Sequence, residues 1–293
     1  MKADVYQIIT DRILAMLDAG VNPWRKPWRA AAYKPPQNLL SRRPYRGVNV
    51  ILLGLSPYAS PYWMSYRQTL QAGGHVKKGE KSSLAVFWKL FDKADQTDPT
   101  KRERIPVLRY YNVFNVEQTE GVEYPKAEVP TFTHDPIAEA ERIAHAMPQP
   151  PTITNDDERR AFYRQETDTV NVPPLARFEK AAEYYSTLFH ELTHATAHPS
   201  RLNRKTEGPQ GFGSANYGRE ELIAEMGSAY LCGKAGILDE TADNTAAYLD
   251  GWRALIKADR RAVVLAAGAA QKAVDYIAPA PAVEEPDQPE AEG

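Results

Sequence analysis

The sequence predicts an α+β protein of two domains, and three observations carry that reading. Its 293 residues, 43% of them hydrophobic, suffice for a core in each half. Segments of helical period alternate with short runs rich in aromatic and β-branched residues. The charge is also divided: residues 1–126 hold 20 Lys+Arg against 11 Asp+Glu, and the remainder holds 16 against 27. A net charge of −2 therefore conceals a half suited to polyanions joined to an acidic half.

The opening DVYQIITDRILAMLDAG sets Val5, Ile8, Ile9, Leu14, Ala15 and Leu17 near helical spacing, with Gly20 as a stop, so a first helix is expected. VNPWRKPWRAAAYKPPQN, with four prolines, forbids a continuous helix and reads as a loop or extended arm. Helices near GVNVILLGLS and SYRQTLQAGG follow, then strands near SLAVFWKLF and RYYNVFNV, with DKADQTDPTKRER between them as an exposed hairpin loop. Prolines in EYPKAEVPTFTHDP mark a linker at about 124 to 134, giving domains 1–126 and 127–277. The second half offers a helix in IAEAERIAHAM, strand-like runs RAFYRQ and DTVNVP, and a helix from about Phe178 through HELTH. Further helices are expected at about 218 to 234, 240 to 255 and 258 to 276. Residues 278–293, rich in proline and glutamate, read as a disordered acidic tail. No apolar run reaches the length of a membrane span and no secretory leader is evident, so the expected setting is the cytoplasm, without a membrane partner. The single Cys232 lies in the apolar run AYLCG and is expected to pack as a small hydrophobe.

Residues 188–200, LFHELTHATAHPS, carry the sharpest chemical signal. On a helix His190 and His194 lie one turn apart on one face, so both imidazoles can reach one zinc ion, and Glu191 stands beside them to take a proton from the attacking water. The preceding stripe of Phe178, Ala182, Tyr185 and Phe189 makes the helix a core element able to hold ligands rigidly. A third ligand is needed, and REELIAEMGSAYL, whose Glu221 lies 27 residues beyond His194, supplies Glu221 and Glu225 one turn apart. One of the two can ligate while the other accepts the outer ring proton of a histidine. His198 continues the spacing, but Pro199 ends the helix, so it is not expected to ligate. Position 200 is Ser200, which excludes the HExxHxxGxxH pattern. Tyr217 is expected to pack in preference to entering the site as a transition-state donor.

HELTH followed by ELIAE resembles the glutamate-type zincin metallopeptidases, the gluzincins. Carried over by position, that resemblance implies His190, His194 and Glu221 as ligands of Zn2+ or another divalent metal, Glu191 as general base and Glu225 as the orienting carboxylate. Glu221 is preferred to Glu225 as ligand, and Glu220 is the outsider.

In the basic half, cations alternate with aromatics in PWRKPWR, SRRPYRG, YWMSYRQ, HVKKGEK and VFWK. Cations can track phosphates while exposed rings stack on unpaired bases, so single-stranded DNA is the expected partner. The favoured residues are Trp24, Arg25, Lys26, Trp28 and Arg29, with Arg42, Arg43, Tyr45, Arg46, Lys77, Lys78 and Lys81 behind them. No helix-turn-helix, finger or P-loop pattern is present.

Taken in order, DRILAMLDAGVNPWRKPW, RPYRGVNVILL, GGHVKKGEKSS, YYNVFNVEQTEG and HELTHATAHPSRLNR resemble the ArdC-type antirestriction proteins of conjugative plasmids and phages, over residues 4 to about 235. The resemblance implies an N-terminal single-stranded-DNA-binding domain before a zincin-like domain, and protection of incoming plasmid DNA from host restriction. Related N-terminal regions occur in plasmid primases. The rival readings are a DNA-binding protein with a non-catalytic zinc site, a regulatory peptidase that cleaves a repressor or host protein, and a replication or primase accessory.

Overall fold

The structure is a computed structural model that describes residues 4–19, 22–24, 35–54, 56–94, 102–125, 136–204, 215–237 and 246–279. Helix α1 (Val5–Asp18) starts where the Asp4 carboxylate accepts the Tyr6 N–H, and it buries Val5, Ile9, Ile13 and Leu17 along one stripe. Then come β1 (Gln37–Asn38), α2 (Val48–Gly54), β2 (Tyr62–Met64) and α3 (Tyr66–Gln71). Ser65 and Gln68 start α3 by exchanging side-chain and backbone hydrogen bonds in a capping box. Strands β3 (His75–Val76), β4 (Ser83–Ala94), β5 (Arg102–Asn115) and β6 (Thr119–Glu120) complete the first half.

The main sheet has the order β1-β2-β5-β4, and β3 pairs with β6 as a separate ribbon. The β4–β5 ladder runs from Ser83 opposite Val113 to Ala94 opposite Arg102. It is longer than the sequence predicts, because backbone pairing continues through Asp92–Ala94 and Arg102–Arg104, whose polar side chains suggest a loop. Once register is set, the ladder bonds are indifferent to side-chain polarity. β4 is an edge strand. Asn49 of α2 closes part of it, donating to the Val86 carbonyl at 2.8 Å and accepting the Val86 N–H at 2.7 Å.

The second half contains α4 (Pro136–His145), β7 (Thr152–Thr154), β8 (Phe162–Arg164), β9 (Thr169–Asn171), α5 (Ala181–Ala195), α6 (Ala215–Ala235), α7 (Ala246–Ala258) and α8 (Ala262–Ile277). α6 packs on α5 and α8, and the small sheet, ordered β7-β9-β8, packs on α5. Every helix and the long strands predicted from periodicity are present. The two-to-three-residue strands β1, β2, β3, β6 and β7 are additions to the predicted set.

The two halves do not keep separate cores. α1 packs against α7 and α8, and Ile9, Ile13 and Leu17 belong to the same buried cluster as Trp252, Val263 and Ile277. Each such apolar side chain contributes about 1.5–3 kcal/mol relative to exposure. Polar ties reinforce the seam: the Thr10 hydroxyl donates to the Arg260 carbonyl at 2.9 Å, Arg253 donates to the Leu17 carbonyl at 2.8 Å, and Arg46 pairs with Asp275. The expected boundary at 126/127 and the acidic tail beyond residue 279 lie outside the described residues. Cys232 is buried among apolar neighbours, as its run suggests. Among the described residues no helix is long and apolar enough to cross a membrane.

Candidate metal centre

α5 buries Tyr185, Leu188, Phe189 and Leu192, which fixes its rotation and leaves His190 and His194 half-buried at the margin of its packed face. α6 crosses it closely. Gly227 makes that approach possible, since a Cβ there would meet the Thr193 side chain at 2.6 Å. The crossing brings REELIAE over HELTH.

His190 and His194 turn their Nε2 atoms to a common point, 3.1 Å from each other. Glu221 faces both, its Oε2 3.5 Å from His190 Nε2 and its Oε1 3.5 Å from His194 Nε2. One ligand atom from each of the three residues falls within 4.8 Å of the others. Two imidazole nitrogens and a carboxylate suit zinc and fit other divalent ions as well. The outer ring nitrogens are also answered by carboxylates. His190 Nδ1 lies 3.8 Å from Glu225, and His194 Nδ1 lies 3.5 Å from Glu220. Glu220 in turn accepts from Arg204, which also donates to the Thr193 carbonyl at 2.9 Å and to Thr196. Sequence reasoning set Glu220 aside. Its place depends on Arg204 and on the helix crossing, neither of which a single-helix period encodes, although the adjacent acidic pair EE was visible.

Glu191 is buried, and burial holds its carboxyl above the ordinary carboxylate range, opposed by the charges of His190 and His194 and by the Tyr163 N–H. That raised basicity suits proton transfer. For Glu221, burial works against ionisation, but hydrogen bonding to His190, the histidine charges and Tyr217 outweigh it and hold the carboxyl low. The same balance holds for Glu220, where His194 and Arg204 overcome burial. Burial also opposes protonation of His190, yet Glu221, Glu191 and Glu225 together raise its pKa.

These groups line a cleft of about 720 Å³ with Phe162, Tyr163 and Tyr217 on its walls. Tyr217, expected to be a packing residue, instead stands half-buried on the cleft wall and bonds to Glu221. β8 is an outer strand of its sheet and borders the cleft. His198 bonds to Ser200 through Nδ1 at 2.7 Å and is not part of the cluster.

The basic half requires corrections. Trp24 is only 3% exposed, its ring edge-to-face with Trp252 at 5.2 Å, so it is a core residue and offers no face to a base. Tyr45, at 9%, packs with Leu53, Trp63, Ala85 and Val113. Both were expected to stack, and burial between the elements removes that option. Arg25, Lys26, Trp28 and Arg29 lie outside the described residues. Arg42, Arg43, Arg46, Lys77, Lys78 and Lys81 are exposed. Of these, Arg46 is engaged with Asp275, Lys77 donates to the Glu117 carbonyl at 2.9 Å, and Arg42 lies over the Tyr62 ring. Among the described residues the exposed large aromatics are others: Tyr66, Phe87, Trp88, Tyr110 and Tyr111.

Comparisons with known proteins agree with this architecture. Residues 3–114 match the N-terminal domain of anti-restriction factor ArdC, and residues 138–269 match the zincin-like metallopeptidase family. The chain is 35% identical over 289 residues to protein y4eC of Sinorhizobium fredii, covering 94% of this chain and 91% of that protein. It is 33% identical over 295 residues to the DNA primase TraC of Escherichia coli, covering 94% of this chain but spanning only 27% of the primase. Among solved structures, the metal-free antirestriction ArdC protein from plasmid R388 is similar at 37% identity and a TM-score of 0.76, covering 94% of this chain and 97% of that one. The Mn(II)-bound structure of that protein gives 36% and 0.75 with the same coverage. With the two domains matched in order and the similarity extending across nearly the whole of both chains, this protein belongs to the ArdC-type antirestriction family.

Proposed function

We propose that this protein binds single-stranded DNA through its basic half, protects incoming DNA from host restriction, and carries a metal-dependent peptide-hydrolysing centre in its second half. The observation that carries the hydrolytic reading is the convergence of His190 Nε2, His194 Nε2 and Glu221 with buried Glu191 beside them. His190, His194 and Glu221 would hold the ion, zinc by the nature of the donors, although the R388 relative is known with Mn(II). When bound, such an ion supplies Lewis acidity, making water more acidic and a carbonyl more electrophilic.

The chain's own residues do the rest. Glu191 takes the proton of the attacking water and delivers it to the leaving amine. Glu225 and Glu220 fix the two imidazole rings so that their inner nitrogens stay aimed at one point. An extended peptide lying along β8 would gain strand-like hydrogen bonds and be presented across the cleft. Binding of DNA is supported by the charge of the first half and by its family match, and the TraC similarity fits the same partner.

The test compares wild type with Glu191→Gln for protection of a conjugating plasmid in restriction-positive and restriction-negative recipients, after folding is checked. Loss of protection in Glu191→Gln places hydrolysis in the mechanism. Full protection in that variant favours the second reading, a DNA-coating protein whose metal site is not catalytic. Equal transfer with and without the protein in both recipients rejects the antirestriction role for this chain.

A further inference from the structure

The basic half carries exposed aromatics that the metal centre does not use, and they are concentrated on the β4–β5 hairpin. In the register Ala85 opposes Tyr111, Phe87 opposes Arg109, and Lys89 opposes Val107. Side chains alternate across a strand, so Phe87, Lys89, Arg109 and Tyr111 share one face. On the opposite face Val86 and Leu108 are buried in the large core while Trp88 and Tyr110 are exposed. On the face of Phe87 the neighbouring Ala85 and Val113 are covered by Tyr45, Leu53 and Trp63, so the open part of that face is the stretch from Phe87 and Tyr111 to Lys89. On the outer face Phe87 is 43% exposed and Tyr111 37%, their rings edge-to-face with centroids 5.7 Å apart. Two large rings held in contact on a solvent-facing sheet mark a recognition surface rather than scatter.

The chemistry of the neighbours selects the partner. Arg109 and Lys89 bring cations to the same face, in a half whose charge is plus 9 over residues 1–126. A polyanion is favoured, and aromatic rings add affinity only for a polyanion with accessible base faces, since duplex bases are already stacked on each other. A β-ribbon set into a duplex groove would instead read base edges with polar side chains.

We propose that single-stranded DNA crosses the outer face of the β4–β5 hairpin, with bases stacked on Phe87 and Tyr111 and phosphates against Lys89 and Arg109. This inference rests on the reading that the chain binds single-stranded DNA, and it places that binding on the sheet rather than on the Trp24 arm.

The test is fluorescence anisotropy of a labelled oligothymidylate, and of a labelled duplex, with the full chain. Phe87→Ala/Tyr111→Ala is expected to lose roughly tenfold in single-strand affinity per ring. Phe87→Tyr/Tyr111→Phe, which keeps both rings, retains wild-type binding. Lys89→Gln/Arg109→Gln, a change that leaves the rings in place, weakens binding and lowers the slope of log affinity against log salt by about 1.4. Wild-type affinity in both the double-alanine and the double-glutamine variants overturns the proposal while the DNA-binding reading stands. Wild-type protein that binds no oligothymidylate at modest salt rejects that reading and the proposal together. Preference for the duplex, unchanged by loss of the rings, also overturns it.

Discussion

Gly227 on α6 faces Thr193 on α5 at a separation that leaves no room for a methyl group, since a Cβ at Gly227 would lie 2.6 Å from both Thr193 Oγ1 and Cγ2. Thr193 has little freedom to yield. It is fully buried, β-branched, and its hydroxyl donates to the Phe189 carbonyl at 2.7 Å.

Gly227→Ala is therefore expected to push the two helices apart, destabilising the protein by about 1–3 kcal/mol. Because the same crossing sets Glu221 and Glu225 against His190, affinity for a divalent ion should fall as well. Thermal unfolding and a metal titration read the two effects. Thr193→Ala in the same chain should restore part of both, and strict additivity of the two changes would show that the contact does not couple them.

Glu220 is expected to matter to metal binding although it does not face the common point. Glu220→Ala and Glu225→Ala should each weaken divalent-ion affinity roughly 10- to 100-fold, and Glu221→Ala should weaken it more. Competition against a chromophoric chelator ranks the three. If Glu220→Ala binds zinc as wild type does, its contact with His194 has no positioning role.

How far the site was legible in the sequence follows from the same residues. His190, Glu191 and His194 are fixed relative to each other by one helix, and a spacing of four specifies their face without help. A second helix of the same period sets Glu221 and Glu225 one turn apart, but spacing leaves open which of the two ligates, and the preference for Glu221 rests on the resemblance. Glu220 with Arg204, Gly227 against Thr193, and β8 at the cleft depend on how separate elements meet, which no local period records. The same limit explains the tryptophans. Trp24 and Trp88 look alike in sequence, next to cations in both cases, yet one is enclosed by Trp252 and the other stands at the exposed part of a hairpin.

Arg201 links three segments: it donates to Asp168 at 2.7 and 2.8 Å, to the Gln149 carbonyl at 2.8 Å, and to the Ala195 carbonyl at the end of α5 at 3.0 Å. Its side chain is 1% exposed. Hydrogen bonding from Arg201, against some burial, lowers the Asp168 pKa, and the Tyr163 hydroxyl and the Arg201 charge add to the effect. A depressed folded-state pKa contributes stability that is present above the unfolded value, near 3.8, and is lost as pH falls through the lower folded value. Asp168→Asn should cost about 1–2 kcal/mol at neutral pH, the partial exposure of Asp168 keeping the figure modest. The same variant should lose stability less steeply than wild type below about pH 4. Asp168 has a positive φ of 49°, which asparagine tolerates, so backbone strain does not confuse the comparison. Parallel acid-unfolding curves for the two proteins would remove Asp168 from the account.

Divalent-ion removal should lower the melting temperature without abolishing the fold, because the helices that carry the site are packed independently of it. Ion at about 100 times its dissociation constant is expected to add about 2.7 kcal/mol. Calorimetry with and without chelator measures the difference, and it should vanish in His190→Ala/His194→Ala. A chelator-induced shift that persists in that double variant would place the ion elsewhere.

The helix at the start of the chain lies on the basic side of the charge divide, yet it lays Ile9, Ile13 and Leu17 against α7 and α8 on the acidic side. Recombination that exchanged one half of such a gene for a foreign counterpart would leave the incoming bundle with an uncovered apolar groove, and the discarded half with a bare apolar helix. The seam drawn by composition is thus not a place where the chain can be cut and rejoined freely. The basic and the acidic half rest on one interior.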